Sequence, residues 1–260
     1  MTPGRLETTL RAARDAGRKL LVPYVTGGLG DDWVSVLAAM AAAGADAIEV
    51  GIPFSDPVMD GPTIQEASAR ALTRGATPEG IVAELDHVDV GVPLIAMTYY
   101  NLVFRAGHLR FASRLHDGGV CGAIIPDLPL EESGEWEADA ATAGVETVLL
   151  AAPVTPEERL VRIAARTRGF VYAVGLMGVT GARSSLASSA TVLAKRVKAV
   201  TDKPVLIGFG ISTPDQAREA CREADGVVVA SALMRRYLDG ARPDDIGDMV
   251  ASLRRGLDDG

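Results

Sequence analysis

The stretch Ala47-Ile48-Glu49-Val50-Gly51-Ile52-Pro53-Phe54-Ser55-Asp56-Pro57-Val58-Met59-Asp60-Gly61-Pro62 decides the fold. It opens as a short β-type run in which Ile48, Val50 and Ile52 share one face, while Ala47, Glu49 and Gly51 share the other. The branched set suits packing against helices, and Glu49 then points the opposite way between two small neighbours. A short run that buries both faces belongs to a parallel sheet covered by helices. After Ile52, the residues Pro53, Pro57 and Pro62 forbid regular structure, so a long excursion leaves the C-terminal end of this strand.

Outward from this point the same unit repeats. Apolar β-type runs lie at Leu20–Thr26, Ala47–Ile52, Pro93–Tyr99, Ala123–Asp127, Thr147–Ala152, Phe170–Val174, Pro204–Phe209 and Gly226–Ala230. Helix-period segments separate them, and such alternation requires crossover connections. Thr63-x-x-Glu66 and Thr155-Pro156-Glu157-Glu158 read as capping boxes. Thr213-Pro214-Asp215-Gln216 has the same form, with proline where its missing N–H does no harm. Trp33, Leu37, Met40 and Ala41 recur at helical spacing, with Gly44 as the stop. Eight such units predict a single (β/α)8 (TIM) barrel domain over residues 1–260, with an extra N-terminal helix and a short helix after strand eight. An open doubly wound sheet is the alternative, but it leaves two outer strands as edges. In a barrel, the excursion after strand two lies on the face where active sites sit.

The 260 residues carry 26 Lys+Arg against 34 Asp+Glu, a net charge of −8, with 48% hydrophobic and 23% charged residues. This is globular composition. Without a basic cluster, neither nucleic acid nor an anionic membrane is the expected partner. Cys121 and Cys221 cannot build a disulfide framework, and a reducing compartment fits. Met1–Lys19 has no apolar core of a secretory leader, and no apolar run reaches the roughly 18 residues of a membrane helix, so a cytoplasmic enzyme is expected.

Glu49 is the first candidate for chemistry. A carboxylate inside a barrel is costly unless paired or protonated. It is either bonded to neighbouring backbone or a buried base, or it is a general acid whose pKa burial has raised. Asp56 and Asp60 both fit turn chemistry, as Asp-Pro and Asp-Gly pairs. Asp60 gains weight because it sits in the excursion leaving the Glu49 strand, where two carboxylates can face one ligand.

Gly178-Val179-Thr180-Gly181 follows strand six, Gly208-Phe209-Gly210-Ile211-Ser212 follows strand seven, and Ser231–Tyr237 opens a helical stretch after strand eight. Barrels often hold phosphate there, on loop amides and the N-terminus of a short helix. The four lysines Lys19, Lys195, Lys198 and Lys203 avoid the C-terminal ends of strands, which disfavours a Schiff base. His87, His108 and His116 lack ligand spacing, so no metal site is expected. What remains is acid–base chemistry by carboxylates on a phosphorylated substrate.

Ile48 to Gln65 closely resembles the signature of the tryptophan synthase alpha chain family, and the resemblance extends over essentially the whole chain. Val22-Pro23-Tyr24-Val25-Thr26 is similar to that family's first strand, and Tyr99-Tyr100-Asn101-Leu102-Val103-Phe104 to the end of its third. Pro126-Asp127-Leu128-Pro129-Leu130-Glu131-Glu132 resembles its fourth, Gly178-Val179-Thr180-Gly181 its sixth loop, and Gly208-Phe209-Gly210-Ile211-Ser212 its phosphate loop.

The resemblance implies a retro-aldol lyase that cleaves indole-3-glycerol phosphate to indole and glyceraldehyde 3-phosphate. It implies Glu49 as the acid–base residue and Asp60 as the group that hydrogen-bonds the indole N–H. Tyr24 and Tyr172 then line the substrate, Thr180 and Gly181 close over it, and amides around Gly181, Gly210, Ala230 and Ser231 hold the phosphate. Pro53, Asp56 and Pro57 match the loop that communicates with a beta chain, in an expected α2β2 tetramer. Pyridoxal phosphate is expected on that beta chain and no cofactor on this one.

The chain departs from the family pattern at three places. Met59 replaces a smaller residue and could crowd the loop. Ala230 stands where glycine is common, which would strain a backbone needing positive φ. Gly175-Leu176-Met177 lacks polar residues found before the sixth loop. A stand-alone lyase, a mainly regulatory subunit that activates a beta partner, and a different phosphosugar barrel such as an isomerase are the competing readings. The strand-two signature argues against the last.

Overall fold

The computed structural model of the chain describes residues 2–86, 88–175, 183–208 and 210–259, with the backbone alone for 183–189. Its parallel strands are β1 (Leu20–Thr26), β2 (Ile48–Gly51), β3 (Leu94–Met97), β4 (Val120–Ile124), β5 (Glu146–Ala151), β6 (Val171–Val174), β7 (Val205–Gly208) and β8 (Gly226–Val229). They close into a barrel in sequence order, with β8 pairing back onto β1 from Leu20↔Gly226 to Pro23↔Val229. The helices are α1 (Arg5–Asp15), α2 (Trp33–Ala42), α3 (Pro62–Thr73), α4 (Pro78–Leu85), α5 (Tyr100–Ala106) and α6 (His108–Asp117). They continue with α7 (Gly134–Thr142), α8 (Glu157–Arg166), α9 (Arg183–Lys198), α10 (Pro214–Ala220), α11 (Ser231–Leu238) and α12 (Pro243–Asp258).

The expected barrel is therefore present, with α1 ahead of the first strand and α11 behind the last. The long second unit holds two helices, α3 and α4. The fourth strand begins at Val120, not at Ala123, so Cys121 lies within it. Of the expected caps, only Thr213 works: its Oγ1 accepts from Gln216 N at 3.3 Å. The Gln216 side chain accepts from Ser212 N instead of returning to Thr213, so the box is half formed. Thr63 lies inside α3, whose N-cap is Gly61, and Thr155 Oγ1 accepts from Ala152 N at the end of β5. Thr77, unread in the sequence, caps α4 by accepting from Gly80 N at 3.0 Å. No helix among the described residues is long and apolar enough to cross a membrane.

Alternation along each strand sorts the core into two layers. Ile48, Val50 and Ile52 pack outward with Trp33, Leu37 and Met40 of α2. Leu20, Val22, Ala47, Val148, Leu206 and Val228 face inward and are joined by Leu6 and Leu10 of α1. Both leucines are fully buried, a contribution of about 2 kcal/mol each. The α1 helix thus stoppers the end of the barrel remote from the strands' C-termini. Glu146 of β5 fixes it: Oε2 accepts from Leu6 N at 2.6 Å and Oε1 from Glu7 N at 3.1 Å, satisfying amides a helix start leaves unpaired. Polar chemistry is left to the opposite mouth.

Candidate active site

Strand β2 carries Glu49 into the interior because its outward positions are taken by branched apolar side chains. The carboxyl is 1% exposed, and Oε2 has no hydrogen-bond partner among the described residues. The reading of Glu49 as a backbone-bonded or base-paired carboxylate therefore fails for this oxygen. Burial, and then the charge of Asp60, push its pKa up to about 8. A carboxyl in this state is a proton donor at neutral pH.

Asp60 follows in the excursion, where Asp60 N donates to Pro57 O at 3.0 Å and the Gln65 side chain holds Asp60 O at 2.9 Å. Burial raises its pKa to about 6, and a hydrogen bond from the Tyr99 side chain works the other way. The two carboxyls thus differ: near neutrality Glu49 keeps its proton and Asp60 has lost its own. Two acids raised by unequal amounts, so that one is protonated and the other ionised, are a common signature of acid–base catalysis.

Two tyrosines close the space. Tyr24 of β1 pairs in register with Glu49, is 4% exposed, and its hydroxyl accepts from Thr26 Oγ1 at 3.2 Å. Tyr172 of β6 is buried and packs its ring on Phe170. Burial drives the pKa of both phenols up, and the charges of Asp60 and Glu49 drive it further, so the four groups lie near enough to feel one another. Each tyrosine needs a glycine on the next strand. A Cβ on Gly51 would lie 1.8 Å from Tyr24 Oη, and one on Gly208 would lie 2.2 Å from Tyr172 Cε2.

The candidate phosphate segments leave the barrel together. Gly208 pairs with Val228, and Gly210 and Ala230 each come two residues later, past the ends of the neighbouring strands β7 and β8. Gly210 adopts φ +51, and no side chain caps the start of α11 at the exposed Ser231. Free amides at such a helix start suit an anion. Ala230 sits at φ −117, so the strain expected there does not arise. Met59 turns outward, 49% exposed, and does not crowd the interior. Thr180 and Gly181 lie outside the described residues, as do Leu176 and Met177.

The loop expected from the resemblance to meet a partner divides by exposure: Pro53 is buried, Pro57 half-buried, and Asp56 exposed with Ser55 Oγ donating to its Oδ2 at 2.6 Å. Val58 is 79% exposed. Sequence reasoning missed Tyr99. It stands just past β3, where its hydroxyl accepts from Met59 N at 3.0 Å and its ring stacks on Phe54 at 5.2 Å. The available signal was its place at a strand's C-terminal end, beside the strand that carries Glu49.

The family model described as tryptophan synthase alpha chain matches residues 10–252. The tryptophan synthase alpha chain of a Picosynechococcus strain is 46% identical over 236 residues, covering 88% of this chain and 89% of that protein. Its counterpart from Streptomyces coelicolor is 43% identical, covering 97% of this chain and 96% of its own. Among solved structures, Mycobacterium tuberculosis tryptophan synthase superposes with a TM-score of 0.90 at 37% identity, covering 98% of this chain and 99% of the other. Tryptophan synthase subunit alpha from Legionella pneumophila superposes at 0.89 with 30% identity and full coverage of both chains. The barrel, the carboxyl pair at its mouth and these likenesses agree, and the chain belongs to the tryptophan synthase alpha chain family.

Proposed function

We propose that Glu49 and Asp60 are the residues with which this chain cleaves indole-3-glycerol phosphate, the lyase reaction of its family. The observation that carries the assignment is the buried Glu49 carboxyl, its Oε2 without a partner among the described residues, protonated near neutrality and within the electrostatic reach of an ionised Asp60. Glu49 donates its proton to C3 of the indole ring, and the ring becomes an iminium that serves as the electron sink. Asp60 accepts the ring N–H hydrogen bond and stabilises the positive charge as it develops. The bond from C3 to the hydroxyl-bearing carbon then breaks, and its electron pair restores the neutral indole. The hydroxyl becomes the aldehyde of glyceraldehyde 3-phosphate, and its proton leaves to the carboxylate that Glu49 has become. Atoms and charge balance without a lysine, a metal or a cofactor on this chain.

Tyr24 and Tyr172 wall the ring, while Gly210, Ala230, Ser231 and the 180–181 segment bind the phosphate. Pro53, Asp56 and Pro57 face a beta chain that carries pyridoxal phosphate, in a cytoplasmic α2β2 tetramer. Exposed Asp56 and Val58 on one loop support that side of the reading. The test is indole release from indole-3-glycerol phosphate by the purified chain, alone and with a beta chain. Slow release that rises steeply with the beta chain supports this reading. Fast release indifferent to the beta chain makes the chain a stand-alone lyase, and none from a folded sample in either condition overturns the assignment.

A further inference from the structure

Loop 53–61 carries Asp60 on its inner side and apolar Val58 and Met59 on its rim, 79% and 49% exposed. Among the described residues, its hydrogen bonds run within itself or to the start of α3, with one exception. Tyr99 stands outside the loop and meets it at three points. Its ring stacks on Phe54 with a centroid separation of 5.2 Å and planes 24° apart. Its hydroxyl oxygen accepts from Met59 N at 3.0 Å. That hydroxyl and the Asp60 carboxylate lie near enough to shift each other's titration.

Tyr99 is itself firmly seated. Ile52 N donates to Met97 O at 2.8 Å, and Thr98 Oγ1 donates back to Ile52 O at 3.3 Å, so the exits of β2 and β3 are laced together beneath it. Tyr99 is 4% exposed. Its hydroxyl has one proton, and the Met59 amide already occupies one side of the oxygen. The O–H is left to donate elsewhere, and the Asp60 carboxylate belongs to the residue next to Met59 in the chain.

We propose that Tyr99 is a positioning residue that holds the Asp60 carboxylate in place and couples it to the backbone of the loop. Anything that moves Val58 and Met59 moves the Met59 amide and the Phe54 ring, and both bear on Tyr99. The aim of its hydroxyl at Asp60 changes with them. A partner seated on the loop rim can in this way adjust a carboxylate it does not touch. The proposal rests on the reading of Asp60 as the group that meets the substrate ring.

The test follows Asp60 directly, by NMR titration of side-chain carboxyl carbons in the full chain without substrate. Asp60→Asn identifies the resonance by its loss. In Tyr99→Phe the ring and its stack on Phe54 survive, and only the hydroxyl goes. The Asp60 titration moves upward by about one pH unit, the size of one lost hydrogen bond to a charged group. The same variant lowers kcat for indole release about tenfold while KM changes less than about threefold. Tyr99→Leu, which also loses the stack, is worse than Tyr99→Phe in both readouts.

A ring that merely packs predicts a Tyr99→Phe enzyme like wild type and damage only in Tyr99→Leu. An unmoved Asp60 titration in Tyr99→Phe overturns the proposal. Because the titration needs no substrate, it stands or falls even where the lyase assignment fails. A moved titration with no cleavage by wild type would fault that assignment and leave the positioning intact.

Discussion

The Tyr24 hydroxyl lies where a side chain on Gly51 would begin: an ideal Cβ at Gly51 falls 1.8 Å from Tyr24 Oη and 2.4 Å from Cζ. Gly51 sits two positions beyond Glu49 on the same inward face of β2, so the glycine keeps the tyrosine over the candidate acid. Its backbone does not adopt positive φ, and alanine is excluded by contact alone. Gly51→Ala is expected to cost about 1–3 kcal/mol, as overpacking of a well-filled interior does. It should also lower cleavage by displacing Tyr24. In the Gly51→Ala background, Tyr24→Leu removes the colliding atoms and restores melting temperature without restoring the polar contact to Thr26. Thermal unfolding of the two single variants and the double variant checks the coupling.

Glu49→Gln should keep the fold and lose most cleavage, by about 10² to 10⁴, the usual worth of a general acid. Its stability carries a sign that a purely structural residue would not. The folded state holds the Glu49 proton more tightly than the unfolded chain, with a pKa near 8 against 4.5. The stabilisation from that proton is full below the unfolded pKa and is lost as pH rises toward the folded one. The slope is about 1.4 kcal/mol per pH unit between the two. The difference in unfolding free energy between Glu49→Gln and wild type should therefore shift in favour of the variant from pH 5 to pH 8. A flat difference would show that Glu49 is not buried as a neutral acid.

With the roles proposed for them, Glu49 acts protonated and Asp60 ionised, so kcat/KM should form a bell. The acidic limb reflects Asp60 with a pKa of about 6, and the basic limb reflects Glu49 at about 8. Because the two groups feel each other, the limbs belong to the pair. Asp60→Asn should lose the acidic limb and fall in rate by about 10² or more, as when one electrostatic stabiliser is removed. A rate profile flat from pH 5 to pH 9 would speak against both roles.

The barrel was legible because each strand is a short apolar run and each crossover a periodic helix, both local signals. Where the reading slipped, the cause lies far away in the chain. In the sequence the fourth strand reads from Ala123, yet Gly122 lies within β4, where a Cβ would come 2.7 Å from Leu6 Cδ2 of α1. The glycine answers a helix more than a hundred positions earlier. Glu49 was legible from alternation alone, since its neighbours on the outward face are branched and apolar. Tyr99 was not, because its significance comes from Phe54, Met59 and Asp60 folding back onto it. Thr63 and Thr155 matched a cap pattern whose outcome depends on where the helix begins, and α3 begins at Pro62, ahead of Thr63, while α8 begins at Glu157, one residue later than the Thr155 pattern places it.

Asp56 separates catalysis from communication. Its side chain is exposed and, among the described residues, bonded only to Ser55 in its own loop, so Asp56→Ala removes none of the described interior contacts. Indole release by the isolated chain should stay within about twofold of wild type, as for a surface substitution away from the core. Stimulation by a beta chain should drop about tenfold or more, the size expected when one charged contact of an interface is lost. Measuring release with a titrated beta chain distinguishes weaker association, which excess partner overcomes, from lost coupling, which it does not.

Ala230 offers the opposite kind of test, in which a return toward the common residue does nothing. Its φ of −117 is negative, so the position ahead of α11 does not demand the left-handed backbone that favours glycine. Glycine there would gain no conformational relief and would widen the unfolded ensemble, at about 0.4–1 kcal/mol. The amides that begin α11 point the same way with either residue, so the KM for indole-3-glycerol phosphate in Ala230→Gly should remain within about twofold of wild type. A tenfold fall in KM would mean that the methyl group of Ala230 obstructs the phosphate, and that φ alone is the wrong measure of this position.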